Sequence, residues 1–241
     1  SGIARLYGVK ALELLQKSHV CVVGVGGVGS WTVEALARSG VGELTLIDMD
    51  DVCLSNANRQ LHALDGTVGQ LKIDVMAQRA KAIQPDCKVH TVADFFTATT
   101  ADTLLDPPYD VLIDAIDQPA NKCLLIDGAR KRKMPVVTVG AAGGKWDPTV
   151  VQVADLTRVS YDALLKRVRK SLRRDFGYSR DPKKKRAVDA VFSTEQAVYP
   201  AADGGVCEKP DPEASLKLDC ASGFGSATHV TGTFGFAAAS V

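Results

Sequence analysis

Over the first 140 residues, short apolar runs alternate with amphipathic stretches. Runs rich in β-branched residues fall near 20–24, 43–48, 88–93, 109–114 and 135–139, and helical periodicity falls near 27–39, 69–84 and 119–133. The runs are nearly unbroken, as expected of strands buried on both faces. Such alternation predicts an α/β fold, a Rossmann-like, mainly parallel sheet with helices on both faces and ligands at the carboxyl ends of the strands. After Gly144 the pattern breaks. Thr149 to Val153 reads as a short strand, Ser160 to Asp175 as a basic helix and Arg180 to Arg186 as a loop. The chain therefore divides into residues 1–144 and a C-terminal portion, 145–241, packed on them. No internal repeat is visible.

The first candidate chemistry lies at the end of the first strand. Residues Gly24 to Ser30 read G-V-G-G-V-G-S and lead into helical composition from Trp31 to Arg38. Glycines let the backbone approach a ligand closely, and the following helix start offers free N–H groups and a positive dipole end. Asp48 ends the next strand at about the 20-residue spacing of a ribose-binding carboxylate. To this point NAD and ATP fit equally well.

The residues that follow separate the two. Arg59 and Lys72 flank a polar segment holding Asn56, Asn58, Gln60 and His62. Two cations and several amides exceed the needs of one pyrophosphate. They suit a triphosphate and the charge that grows on a departing pyrophosphate. Asp114 and Asp117 close the apolar run Val111–Ile113, where carboxylates can hold a hard cation such as Mg²⁺. Asp117 has a second reading, as a helix cap before Pro119.

The ordered series G-x-G-G-x-G, D-x-D at Asp48 and Asp50, N-x-x-R-Q from Asn56 to Gln60, Lys72 and D-x-x-D resembles the E1-like activating superfamily, which includes the adenylyltransferases of thiamine and molybdopterin synthesis. The match covers Arg5 to about Gly144. It implies an ATP-binding Rossmann domain over 1–144 in which a substrate carboxylate attacks the α-phosphate of ATP. By this resemblance Gly26, Gly27 and Gly29 form the nucleotide loop and Asp48 holds the ribose. Arg59 and Lys72 contact the phosphates, with Asp50, Asn56 and Gln60 beside them, and Asp117 is the Mg²⁺ ligand. The cofactors implied are ATP and Mg²⁺, with a place left for a monovalent cation.

The second half narrows the resemblance. Gly140-Ala-Ala-Gly-Gly-Lys-Trp-Asp-Pro-Thr149, Val191-Phe-Ser-Thr-Glu195 and Asp219-Cys220-Ala-Ser-Gly-Phe-Gly225 are similar to one bacterial branch, the tRNA threonylcarbamoyladenosine dehydratases. Membership there implies ATP-dependent cyclising dehydration of a modified adenosine beside the anticodon, a ligase-type reaction in which residues 145–241 form the acceptor side. E1-like dimers often send an N-terminal arginine into the partner's nucleotide site. The matching position here is Gly2, and Arg5 is either the substitute or an ordinary surface charge. A homodimer is the corresponding expectation.

Six cysteines stand at 21, 53, 87, 123, 207 and 220, none in a C-x-x-C pair, which argues against a structural zinc. Positions 21, 53, 87 and 123 read as small core or edge residues. Cys220, beside a Gly/Ser-rich turn and an expected helix start, is a candidate reactive thiol. His62, Thr194, Glu195 and Asp219 remain alternatives for a general base.

Length, 46% hydrophobic and 24% charged residues are those of an ordinary globular enzyme. Residues 1–19 are amphipathic rather than a signal sequence, and unpaired cysteines suit the cytoplasm. The chain opens on Ser1 rather than methionine, so natural residues are expected before it, and the natural C-terminus is left open. Net charge is only +1, yet residues 166–186 hold eleven basic side chains against Asp175 and Asp181. This helix and loop over 160–186, with Arg167, Lys170, Arg173, Arg174 and Lys184, reads as a tRNA contact or as a solvated charged face. Ala221 to Val241 lacks Lys, Arg, Asp and Glu. Its Ser, Thr and Gly content favours a buried helix from near Ser222 over a stable membrane span, with membrane association as the alternative.

Three functions follow. The first is the tRNA dehydratase. The second is an adenylyltransferase for the C-terminal glycine of a ubiquitin-like sulfur carrier, disfavoured by the missing C-x-x-C pairs. The third is an NAD module or a scaffold for a sulfur-acceptor or cysteine desulfurase partner.

Overall fold

The structure is a computed structural model that describes residues 2–181, 187–201, 203–209 and 224–241. In chain order the elements are α1 (Gly2–Tyr7), α2 (Val9–Lys17), β1 (His19–Val23), α3 (Gly29–Ser39), β2 (Glu43–Ile47), α4 (Lys72–Ile83), β3 (Lys88–Val92), α5 (Ala101–Leu104), β4 (Val111–Asp114), α6 (Pro119–Arg132), β5 (Val136–Val139), β6 (Val151–Asp155), α7 (Ala163–Asp175), β7 (Asp189–Ser193), β8 (Tyr199–Pro200), β9 (Val206–Cys207) and α8 (Thr228–Ser240). Seven strands form one sheet in the order β3-β2-β1-β4-β5-β7-β6. All pairings are parallel except that of β6 with β7. The order reverses between β1 and β4, which opens a crevice at their carboxyl ends.

Side-chain alternation divides the core into two layers. Val20, Val22, Leu44, Leu46 and Ile113 face α3, α4 and α8 through Val33, Met76 and Phe234. Cys21, Val23, Ile47 and Leu112 face the opposite layer, where α6 and α7 contribute Leu125, Ile126, Leu165, Val168 and Leu172. Burial on both faces explains why the central strands are continuous apolar runs. It also raises the Cys21 thiol to about 12 and the Cys123 thiol to about 11, so neither ionises near neutral pH. Cys53 differs from the sequence reading: it is exposed, in the turn before a 3₁₀ segment.

Several boundaries differ from the sequence expectation for local reasons. Helix α7 starts at Ala163, not Ser160, because Tyr161 has φ 54° and Asp162 caps the helix by accepting from the Leu165 N–H at 2.8 Å. Strand β6 starts at Val151, because Asp147 accepts from the Thr149 N–H at 2.8 Å and closes a 3₁₀ turn over Pro148–Val150. Helix α4 starts at Lys72, after Gly69 at φ 84°. The expected helix near Ser222 starts at Thr228 as α8, and Ser222 lies outside the described residues. Helix α8 buries Val230, Phe234 and Ala238 in the core, and no helix among the described residues is long and apolar enough to cross a membrane. Strand β7, which had no sequence counterpart, is inserted between β5 and β6, so the sheet continues across residue 144.

Candidate active site

The glycine-rich loop occupies the carboxyl end of β1. A Cβ on Gly24, at φ 89°, would lie 2.8 Å from the Ala115 carbonyl, and one on Gly29 would lie 1.8 Å from that of Gly24. Both glycines therefore let β1, α3 and the end of β4 approach one another. Gly26 is different. Among the described residues a Cβ there would meet only the Gln60 Nε2, at 3.9 Å, so its backbone is open to a ligand. The missing Cβ of Gly27 faces the Arg59 stem and Thr231 at 3.5 Å.

Val25 is fixed from both sides. Its N–H donates to Asp48 Oδ2 at 2.6 Å, and its carbonyl pairs with His62 Nε2 at 2.8 Å. A carbonyl only accepts, so Nε2 carries the proton and Nδ1 bears the lone pair. Burial pushes the His62 pKa down, keeping the ring neutral. Two buried acceptors on this segment, His62 Nδ1 and Gln60 Oε1, have no partner among the described residues. Buried polar atoms of this kind ordinarily take a donor, and a nucleotide offers ribose hydroxyls and an amine.

Lys72, at the first position of α4, is buried and bonds Asp50 Oδ2 at 2.7 Å, while Asp50 is more than half exposed. Arg59 donates to Ser55 O at 3.1 Å and to Asn58 Oδ1 at 2.9 Å. Its own carbonyl accepts from Trp31 Nε1 at 3.0 Å and Thr231 Oγ1 at 3.2 Å, so α3 and α8 together hold its backbone. Asn56 is buried, and its Oδ1 accepts from the Cys53 N–H at 3.0 Å; that oxygen closes the turn beneath Arg59.

The two aspartates after β4 have different surroundings. Asp114 is fully buried and bonded by Thr138 Oγ1 at 2.6 Å, the Ile116 N–H at 3.2 Å and Lys122 Nζ at 3.0 Å. Lys122 is itself fully buried and also donates to the carbonyls of Asp114 and Ile116 at 3.1 and 2.8 Å. This pair shapes the end of β4. Sequence reasoning missed Lys122, although its place one turn into α6 after a strand-end carboxylate was the available signal. Asp117 is exposed, and it does not cap α6: Gln118 holds that position, without a side-chain cap bond. No hydrogen bond or ion pair within the described residues engages Asp117, which leaves a carboxylate free for a hard cation.

On the far side of the crevice, loop 140–147 follows β5. Lys145 is buried and donates to the Ser193 carbonyl at 3.2 Å, and burial lowers its pKa against the fields of Asp162 and Glu195. This lysine lies within the Gly140–Thr149 motif, where nothing in the sequence alone marks it for a role. Glu195 accepts from the N–H groups of Trp146 and Asp147 at 3.2 and 3.0 Å, so this candidate base anchors a loop. Thr194, another candidate base, donates its N–H to the Val150 carbonyl at 3.3 Å. Asp219 and Cys220 lie outside the described residues.

The basic helix α7 starts beside this loop, where Asp162 Oδ2 accepts from the Ala141 N–H at 2.9 Å. Its outer face lines a groove of about 910 Å³ with Arg167, Lys170, Arg173, Arg174 and Arg180. Arg174 is paired with Asp175 at 2.6 Å, whereas the buried Arg173 Nε has no partner among the described residues. Lys184 lies outside the described residues. Arg5 is exposed on α1, near a 610 Å³ cleft at the amino ends of the strands, lined by Ile3, Leu12, Gln16 and Lys88. The five-residue β1 spans roughly 17 Å, so Arg5 stands at the end of the sheet opposite the glycine-rich loop.

A parallel sheet with a glycine-rich turn, a strand-end aspartate and buried cations at its switch point defines a nucleotide-binding α/β protein. The chain belongs to the ThiF family, whose pattern matches residues 2–232. It is 52% identical over 240 residues to a tRNA threonylcarbamoyladenosine dehydratase of Escherichia coli K12, covering 99% of this chain and 90% of that one. The enzyme of the same name from Haemophilus influenzae is 49% identical over 239 residues, covering 99% and 89%. A crystal structure of the E. coli enzyme in complex with ATP superposes with a TM-score of 0.88 at 48% identity, over 99% of this chain and 89% of that chain.

Proposed function

We propose that this chain is an ATP-dependent dehydratase of threonylcarbamoyladenosine in tRNA. One observation carries the reading: an open glycine loop, two unsatisfied buried acceptors and the Arg59 and Lys72 cations share one crevice, in a chain half-identical over its length to named dehydratases. In the first step a side-chain carboxylate oxygen attacks the α-phosphorus of ATP, and pyrophosphate leaves. In the second, a nucleophile of the same side chain attacks the activated carbonyl, and AMP departs. The nucleoside loses one water, which is taken up as ATP is split into AMP and pyrophosphate. Ring closure is intramolecular, where effective molarities reach roughly 10⁵–10⁸ M, so orientation and charge stabilisation suffice.

In this assignment Gly26 and Gly27 bring backbone N–H groups to the phosphates, and Asp48 takes the ribose. Gln60 offers an amide beside them, and Asn56 acts through the turn that carries Arg59. Arg59 and Lys72 stabilise charge on the α-phosphate and on the departing pyrophosphate. Asp117 would hold Mg²⁺, which supplies charge neutralisation on the phosphates. Residues 1–144 hold the nucleotide and 145–241 shape the acceptor side. Because Arg5 stands at the far end of its own sheet, it can serve a nucleotide site only in a second copy, which supports a homodimer. The test is pyrophosphate release from ATP with tRNA bearing threonylcarbamoyladenosine, against the same tRNA unmodified. Release is expected only with the modified tRNA, together with a product that has lost one water. No release, or equal release with both, would overturn the reading.

The groove on α7 supports tRNA as partner, since clustered guanidinium groups bind phosphates and release counterions. Changing Arg173 and Arg174 to glutamate is expected to weaken tRNA binding by at least about tenfold at moderate salt and to flatten its salt dependence. ATP affinity should be unchanged. Filter binding across a salt series checks this, and an unaltered slope would remove the groove from the tRNA path.

A further inference from the structure

Trp146 is 60% exposed, in a chain with only 6% aromatic residues. Its backbone is nevertheless fixed. The N–H is held by Glu195 at 3.2 Å, and the carbonyl accepts from His229 Nε2 at 3.0 Å. The neighbours are tied as well. Lys145 is buried against Ser193, Asp147 caps the next turn, and the Gly144 N–H and carbonyl are bonded to Gly225 and Val198 at 2.7 and 2.8 Å. Two further rings stand close by. Phe224 Cβ would lie 2.9 Å from a Cβ on Gly143, and the Phe224 and Tyr199 ring centroids are 5.0 Å apart. A large indole left in water on a rigid backbone contributes little to folding, and none of the described residues bonds its Nε1.

The position of this indole gives it a use. His229, which holds Trp146, follows Thr228, whose Oγ1 donates to the Asn58 carbonyl at 2.6 Å. Asn58 in turn donates to the Ser226 carbonyl at 2.7 Å and adjoins Arg59. One turn of chain thus ties the Trp146 loop to the segment that carries the phosphate-binding arginine. At its other end the same loop meets the start of α7 through Ala141 and Asp162, where the basic groove begins. A backbone-binding groove, an exposed aromatic ring and a phosphate site in sequence match how single-stranded RNA is held: phosphates on cations, an unstacked base on an aromatic face.

We propose that Trp146 is the stacking platform for the adenine base that carries the reacting carboxylate, positioning that carboxylate toward the α-phosphate near Arg59. The proposal rests on the dehydratase reading and adds a base-recognition residue to it. A loop adenosine is cheaply unstacked, so its binding energy can be spent on orientation.

The experiment compares Trp146→Ala and Trp146→Phe with the unaltered protein. Steady-state pyrophosphate release is followed with modified tRNA, and indole fluorescence is followed during titration with the free threonylcarbamoyladenosine nucleoside and with modified and unmodified anticodon stem-loops. Base stacking on an aromatic ring is lost on alanine substitution at a cost of about 5-fold to 150-fold in affinity. Trp146→Ala should therefore raise KM for modified tRNA by a factor in that range with ATP affinity unchanged, and Trp146→Phe should recover most of it. Only two tryptophans exist, Trp31 and Trp146. Quenching by the nucleoside that vanishes in Trp146→Phe therefore reports contact at this ring. An unchanged KM in Trp146→Ala, or equal quenching by modified and unmodified stem-loops with none by the nucleoside, would overturn the assignment while leaving the reaction intact. If the unaltered protein releases no pyrophosphate with modified tRNA, the dehydratase reading itself fails and the platform with it.

Discussion

Arg59→Ala is expected to slow pyrophosphate release by about 100-fold to 1,000-fold, the usual cost of removing one donor aimed at developing charge. The mutation should leave the fold intact, because only the Arg59 carbonyl is used by Trp31 and Thr231, and alanine keeps it. The same variant tests whether two copies share their sites. In a C₂ dimer with reciprocal arginines, a chain bearing Arg59→Ala still donates its Arg5, and a chain bearing Arg5→Ala still offers its Arg59. Each homodimer is then impaired at both sites, but the heterodimer keeps one complete site and should recover about half the unaltered rate. The two chains would be co-expressed with different tags, purified through both and assayed at equal site concentration. Recovery no greater than the mean of the two parents would place Arg5 outside the reaction. A monomer with full activity would remove the shared-site idea altogether.

The second large effect is on stability. Lys122→Met strips a fully buried ammonium from Asp114 and from two main-chain carbonyls. Breaking a buried pair by removing one partner costs about 3–5 kcal/mol, because the remaining charge stays desolvated. For a domain of this size that corresponds to roughly 6–20 °C in Tm. The measurement is thermal unfolding without nucleotide at fixed protein concentration. Adding Asp114→Asn to Lys122→Met should return part of the loss, since the asparagine oxygen can still accept from the Ile116 N–H and its amide can donate to the Thr138 hydroxyl, with no uncompensated charge. A single variant that melts within about 2 °C of the parent would show that the pair carries little of the fold's stability.

The sequence made the nucleotide half legible because each of its signals is local. A β-branched run followed by G-V-G-G-V-G must turn, and Asp48 at the next strand end follows from the βαβ repeat. What stayed hidden depends on contacts distant along the chain. Strand β7 is only five residues long, and its parallel pairing with β5 places it between two elements that precede it. Local periodicity cannot show such an insertion. Asp114 and Asp117 look alike in sequence, yet Lys122 and Thr138 occupy the first and leave the second exposed. Asn56 looked like a ligand-facing amide and instead closes a turn with its Oδ1. His62 and Glu195 looked like candidate bases, and their visible bonds are to the backbone of the glycine loop and of the Trp146 loop. Helix α7 was legible as basic, but only Tyr161 and Asp162 set where it begins.

The anchoring of Arg59 by Thr231 has a consequence for synthesis on the ribosome. Residues 24–72 emerge early, but the Thr228 and Thr231 contacts that brace Asn58 and Arg59 come from residues translated more than 150 positions later. A nascent chain that has exposed only β1 to β5 lacks the brace behind Arg59. The backbone behind Arg59 is therefore braced only once α8 has been delivered.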